Sequence, residues 1–191
     1  MVEIVYGLLK RTGLTTYFAP LGCLIGHGGS CTKDPYYAGY NCGACSGRAG
    51  SVNSRAVAEM ANREDVRKAL EIKHICIPST TYFLGGLHDT TRDEVTFYDE
   101  VTLSKKLTEA HTTHRAQFDK ALSHNAKERS RQFLLTNSKR DAIKVHKDVK
   151  NRSTALFEPR PELNHSNNTL CIVGRRSLTK SVFLDQRAFL N

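Results

Sequence analysis

Residues 21–30 read LGCLIGHGGS, and this stretch decides how the chain folds. An apolar run of strand length stops at Gly26 and passes directly into a glycine-rich turn. We therefore predict a short buried strand over residues 17–26, followed by a loop that continues from His27 through Gly50. In open α/β sheets, ligands bind where a strand ends and its loop begins. The stretch predicts an α/β fold with a binding site just after the first strand.

Three candidate metal ligands lie on this loop, namely His27, Cys42 and Cys45. Imidazole and thiolate are the donors that zinc prefers. The many glycines of residues 26–50 would let the loop bring such side chains together. The spacing alone leaves two alternatives open, a surface histidine and a merely buried cysteine pair. A loop this long within a compact domain usually has a function or a cross-link.

The rest of the chain divides by composition into residues 1–136, an α/β part that carries the loop 26–50, and residues 137–191, a basic, polar segment with C-terminal strands. In the first part we predict a helix from Ser54 with Asn53 as its cap, a second helix with Asn62 as its cap, and a long helix over residues 103–134. The predicted strands are 82–84, 95–98, 170–173 and 182–184.

The composition narrows the classes of function. The net charge of +9 comes from basic residues scattered along the chain, so a solvated basic surface is favoured over nucleic-acid binding. The sequence predicts no transmembrane helix and no signal peptide, which indicates a cytoplasmic protein. Six cysteines then favour metal binding or burial over disulfides. We expect Cys23, Cys76 and Cys171 to be core residues, and His111 with His114 to be half-buried rather than a metal site.

Eight short blocks, in this order, resemble the DabA family of bacterial inorganic carbon transporter subunits. They span the chain: 21–30, 35–36 (PY), 41–48 (NCGACSGR), 53–56 (NSRA), 77–78 (IP), 87–93 (LHDTTRD), 125–129 (NAKER) and 187–190 (RAFL). The chain is identified as the C-terminal portion of a member of that family.

The resemblance implies a Zn²⁺ site similar to that of β-class carbonic anhydrases. Two ligands come from an upstream Cys-x-Asp-x-Arg block, and His27 and Cys42 match the downstream pair. Cys45 belongs to the matching motif without being a ligand, and supports the loop. His88 and Asp89 either support the metal site or form a hydrogen-bonded turn between strands, and the turn is the favoured interpretation.

The upstream block is absent, because none of the six cysteines begins a Cys-x-Asp-x-Arg sequence. We therefore expect a truncated member of the family, with no catalytic residue of its own and no activity when alone. The expected fold is a partial β-carbonic-anhydrase-like sheet with flanking helices, incomplete without the upstream part.

The resemblance also implies a function and a partner. DabA proteins hydrate CO₂ at the cytoplasmic face of the bacterial inner membrane, as peripheral subunits. They act with a DabB-like membrane subunit, which resembles the proton- or sodium-conducting subunits of complex I, so that bicarbonate accumulates. Two alternatives are an autonomous carbonic anhydrase, disfavoured by the missing ligands, and a basic structural zinc or nucleic-acid-binding module.

Overall fold

The structure is a computed structural model of the chain. It describes residues 1–30, 41, 47–131, 133, 136–156, 170–172, 174–181 and 188–190. The chain forms two compact units, Met1–Pro161 and Glu162–Asn191. The division by composition after residue 136 stays a prediction.

A three-stranded mixed sheet lies at the centre of the first unit. β1 (Leu21–Gly28) and β2 (Tyr82–Asp89) run parallel, and their register places His27 opposite His88. β3 (Glu94–Phe97) follows β2 through a tight turn and pairs with it in antiparallel orientation. The order is β1-β2-β3, so β2 is the central strand and the two parallel strands end at one edge of the sheet.

Five α-helices accompany the sheet in the described part of the first unit. They are α1 (Val2–Thr12), α2 (Ser51–Asn62), α3 (Glu64–Ile72), α4 (Lys105–Ser130) and α5 (Ala142–Arg152), with a 3₁₀ turn at Glu100–Thr102. Two of them have side-chain N-caps that satisfy exposed backbone donors. The Ser104 hydroxyl accepts from the N–H of Leu107 at 3.4 Å before α4, and Asp141 accepts from Ile143 at 2.9 Å before α5.

Helices cover both faces of the sheet. Phe83 and Leu84 are neighbours on β2, so their side chains point to opposite faces. Phe83 is buried in a cluster with apolar residues of α1, α2 and α3: Val5, Leu9, Ala58, Ala61, Val66 and Leu70. Leu84 packs with Leu21 and Phe97, and Leu107 and Phe118 of α4 cover that cluster. The layers confirm the predicted α/β class.

α5 packs on α4. Val145 and Val149, one helical turn apart, are fully buried against Ala126. The polar composition of residues 140–165 concealed this helix, although the Asp141 cap and the four-residue spacing of the two valines are signals for it. α1 was missed as well, and its buried Val5 and Leu9 show the same spacing.

Several sequence predictions were right in kind but shifted in position. β1 spans Leu21–Gly28 rather than residues 17–26, so His27 belongs to the strand and not to the loop. α4 ends at Ser130 rather than near residue 134. α2 begins at Ser51 rather than at Ser54, and its N-cap residue is Gly50 rather than Asn53. Asn62 does not cap α3; its side chain donates to the Phe83 carbonyl at 2.8 Å and accepts from the Phe83 N–H.

The prediction that Cys76 belongs to the core was wrong. Its side chain is exposed, whereas Ile75 and Ile77 on either side are buried. This alternation of buried and exposed residues is typical of an extended segment, in which neighbouring side chains face opposite directions. Cys23 is half-buried, and burial raises the pKa of its thiol.

The second unit contains β4 (Leu170–Ile172) and β5 (Ala188–Leu190), which pair in parallel, and a 3₁₀ turn at Arg176–Leu178. β4 confirms the predicted strand at 170–173. The predicted strand at 182–184 lies outside the described residues. None of the described helices has the length and apolar character needed to cross a membrane.

Candidate functional site

His27 lies at the carboxyl end of the parallel strands. It is the second-last residue of β1, and its side chain is exposed. Its neighbour across the sheet is His88, after which β2 ends at Asp89 and the chain turns into β3. This is the edge of the sheet at which α/β proteins bind ligands.

The backbone of β1 touches the start of α2 beside His27. The N–H of Gly50 donates to the His27 carbonyl at 2.7 Å. A Cβ on Gly26 would lie 2.3 Å from the Gly50 carbonyl oxygen, and a Cβ on Gly50 would lie 2.9 Å from the backbone N and O of His27. These distances leave room only for glycine, whose lack of a side chain permits close backbone approach. The two glycines therefore fix the main chain of His27 against α2.

The His27 ring contacts Thr90, the first residue after β2. Nε2 of His27 lies 3.1 Å from the Thr90 hydroxyl oxygen. The same hydroxyl donates to the Gly28 carbonyl oxygen at 3.2 Å, and the Thr90 N–H donates to that oxygen at 2.8 Å. Thr90 thus connects the turn after β2 to both the side chain of His27 and the main chain that follows it.

Asp89 holds the same turn from its other side. One carboxylate oxygen accepts from the N–H groups of Ser30, Thr91 and Arg92 at 3.2, 3.1 and 3.3 Å. The other accepts from the Ser30 hydroxyl. Asp89 therefore joins the turn after β2 to the residues that follow β1, which makes the two strand ends a single structure.

A buried charged network lies beneath the turn. Asp93 has no exposed surface and adopts a left-handed backbone conformation with φ 51°. Its carboxylate accepts from Arg129 at 2.7 Å and Asn125 at 2.8 Å, both on α4, and lies 3.2 Å from Nε2 of His88. Each carboxylate oxygen has at least one partner, which a buried charge requires.

Arg129 links this network to the turn. Its guanidinium donates to the Thr90 carbonyl oxygen at 2.7 Å and to the Thr91 carbonyl oxygen at 3.3 Å, in addition to Asp93. Nε2 of His146, a residue of α5, lies 3.0 Å from the carbonyl oxygen of Arg92. The two helices thereby fix the backbone of the turn.

The structure locates only some of the predicted site residues. His27, His88 and Asp89 lie together at the strand ends, whereas Cys42 and Cys45 fall outside the described residues. Asn41, directly before Cys42, is described and buried, and its side-chain oxygen accepts from the Gly29 N–H at 2.8 Å. Within the described ranges, no three histidine, cysteine, aspartate or glutamate side chains form a group that could hold a metal ion.

Thr90, Asp93 and Arg129 are the site residues that sequence reasoning missed. All three fall within blocks that resemble the family, 87–93 and 125–129. Their common function is not visible in the sequence, because Asp93 and Arg129 lie 36 positions apart and meet only in the folded chain.

His111 and His114 do not share an environment. His111 is buried, with its ring edge-on to Phe97 at 4.6 Å, while His114 is half-buried. Burial lowers the pKa of His111, and the Glu100 carboxylate, 3.3 Å away, partly opposes this shift.

Comparison with known proteins decides the family. The profile of the family described as "Probable inorganic carbon transporter subunit DabA" matches residues 1–191. The chain belongs to the DabA family. The resemblance carried by the eight sequence blocks is thereby confirmed.

Curated DabA proteins match along almost the whole chain. The protein of Azotobacter vinelandii is 56% identical over 191 residues, which cover 100% of this chain and 23% of the relative. The protein of Nitrosospira multiformis is 49% identical, covering 98% of this chain and 21% of the relative. This DabA-family chain thus spans about a fifth of the length of these relatives. No solved structure matches it significantly.

Proposed function

We propose that this chain supplies His27 and Cys42 as two of the four protein ligands of a zinc site in an inorganic carbon transporter subunit. The subunit hydrates CO₂ in a site like that of β-class carbonic anhydrases. The other two ligands come from a Cys-x-Asp-x-Arg block elsewhere in the family's longer sequence. The chain alone lacks that block and is inactive by itself.

The observation that carries this proposal is the contact between Asn41 and Gly29. Gly29 is the second residue after His27, and Asn41 directly precedes Cys42. Their hydrogen bond of 2.8 Å holds Asn41 at the end of β1, although the two residues are twelve positions apart in the sequence. The chain just before Cys42 is therefore anchored beside the strand end that carries His27.

The surroundings of His27 suit a metal ligand. Histidines that bind metals usually have their second ring nitrogen hydrogen-bonded to an oxygen, which fixes the orientation of the ring. The Thr90 hydroxyl occupies that position here, 3.1 Å from Nε2. The ring is exposed at the sheet edge, so ligands from another part of the polypeptide can approach it.

When bound, zinc supplies the Lewis acidity that makes water nucleophilic toward CO₂ near neutral pH. The residues of this chain provide the geometry for that chemistry. Gly26 and Gly50 fix the main chain of His27, Thr90 orients its ring, and Asp89 joins the turn to Ser30.

The partner in this proposal is a DabB-like membrane subunit that conducts protons or sodium ions. The relatives' names describe them as transporter subunits, which supports a complex rather than a free enzyme. We place the complex at the cytoplasmic face of the bacterial inner membrane, with this chain in its peripheral subunit and bicarbonate as the product.

A segment exchange tests the proposal. In Azotobacter vinelandii, the matching segment of its DabA protein is replaced by this chain, and uptake of labelled inorganic carbon is measured with the native membrane partner present. The chimera should support uptake, and His27→Ala should abolish it. The control is His124→Ala, which changes an exposed histidine on α4. Uptake that survives His27→Ala would show that the histidine has no function in transport.

A further inference from the structure

We propose that Thr90 and Arg129 are positioning residues for His27, with Arg129 acting through Thr90. This inference rests on the proposed function, since it assigns to two further residues the orientation of a zinc ligand. Three successive contacts connect the His27 ring to the buried Asp93.

The first contact holds the imidazole of His27. Nε2 of His27 lies 3.1 Å from the Thr90 hydroxyl oxygen, and that hydroxyl also lies 3.2 Å from the Gly28 carbonyl oxygen. The hydroxyl therefore connects the ring of His27 to the end of the strand that carries it.

The second contact fixes Thr90. The Arg129 guanidinium donates to the Thr90 carbonyl oxygen at 2.7 Å and to the Thr91 carbonyl oxygen at 3.3 Å. Charged donors make stronger hydrogen bonds than neutral ones, and two of them on adjacent peptides restrict the turn. Since Arg129 is buried, these bonds are shielded from water.

The third contact fixes Arg129. Asp93 accepts from its guanidinium at 2.7 Å, and both side chains are buried, with exposed fractions of 0% for Asp93 and 5% for Arg129. The guanidinium is a planar fork, and its orientation is defined because Nη2 donates to Asp93 and Thr91 while Nη1 donates to Thr90. Lysine has no such fork and cannot reproduce the arrangement.

The test uses the purified chimera, in which this chain replaces the matching segment of the Azotobacter vinelandii protein. Its zinc affinity and its thermal stability are measured. Thr90→Val removes the hydroxyl and should weaken zinc binding by about 10- to 100-fold, the usual effect of removing a ligand's supporting partner. Thr90→Ser keeps the hydroxyl and should keep the affinity. Arg129→Lys should weaken binding to a similar extent. If Arg129 acts through Thr90, the double variant should bind zinc no more weakly than the weaker single variant.

Matched controls separate positioning from stability. Thr91→Val makes the same change at the next residue, and Arg131→Lys makes the same change on an exposed arginine of α4's C-cap; both should leave zinc affinity unchanged. Zinc affinity that falls only in proportion to the melting temperature, with additive effects in the double variant, would overturn the inference in favour of a purely structural role.

Two further outcomes distinguish this inference from the proposed function. If His27→Ala abolishes zinc binding while Thr90→Val and Arg129→Lys do not weaken it, the positioning inference is wrong and the zinc site stands. If His27→Ala leaves zinc bound, both are wrong.

Discussion

Asp93 and Arg129 form an ion pair with 2.7 Å between carboxylate oxygen and guanidinium nitrogen, buried beneath the turn that carries Thr90. Removing one member of a buried pair leaves the other charge unpaired and costs about 3–5 kcal/mol. We expect Asp93→Asn to lower the free energy of unfolding by this amount. Asparagine keeps the shape and tolerates the left-handed conformation at φ 51°. Urea denaturation of the chain at low concentration measures the change.

The exposed pair Arg55–Asp99 provides the control. Its nitrogen–oxygen distance is similar, 2.8 Å, but the side chains are 50% and 46% exposed. Asp99→Asn should therefore have a much smaller effect, because water screens the pair. Equal losses in the two variants would show that burial of Asp93 does not determine its contribution.

Two buried threonines predict opposite effects of the same substitution. Within the part of the chain that the structure describes, the buried Thr91 hydroxyl oxygen has no hydrogen-bond partner, whereas the Thr81 hydroxyl donates to the Ala19 carbonyl oxygen at 3.0 Å. Thr91→Val should be neutral or stabilising, since it removes an unsatisfied polar group. Thr81→Val should destabilise by about 1 kcal/mol. Comparison of the two free energies of unfolding checks this, and a larger loss for Thr91→Val would refute it.

We expect the folded chain to lose stability in mild acid because of His111. Burial lowers its pKa in the folded chain, with Glu100 opposing and Arg115 and His114 adding smaller effects. As the pH falls through the unfolded value of about 6.5, the unfolded state binds a proton that the folded state does not. The free energy of unfolding should therefore decrease from there down to the folded pKa. Denaturation at several pH values between 5 and 8 measures the slope, which His111→Leu should reduce and His124→Leu should not.

The strand pattern and the long helix were predictable because their apolar periodicity is local. The apolar run ending at Gly26 predicted β1, and the three- and four-residue spacing from Leu107 to Leu122 predicted α4. The turn at residues 90–93 was expected as a connection, but its function in holding His27 was not. That function depends on the parallel register of β1 and β2 and on the contacts of Arg129. Both arise only when distant parts of the chain meet in the fold.

The sequence was misleading where the polarity of a residue or segment did not match its burial in the fold. Cys76 lies in an apolar segment, yet it is exposed between two buried isoleucines. Residues 142–152 look polar, yet Val145 and Val149 suffice to pack α5 on α4. Two buried valines on one face can stabilise a helix whose overall composition is charged.

β1 predicts that the isolated chain associates with itself. Within the described residues, β1 pairs only with β2 and forms an edge of the sheet. Unpaired backbone groups on an edge strand promote pairing with other chains. Light scattering should show association that increases with concentration, and the chimera, with the relative's remaining sequence, should lack it. A monomer with a single cooperative melt at high concentration would contradict this expectation.

Zinc content of the purified chimera tests the central claim most directly. The account predicts one zinc per chain in the chimera, and loss of that zinc in His27→Ala and in Cys42→Ser, since each removes one of four ligands. Cys45→Ser and the exposed control Cys76→Ser should retain it. Zinc that persists in His27→Ala or Cys42→Ser, or that disappears in Cys45→Ser, would contradict the account.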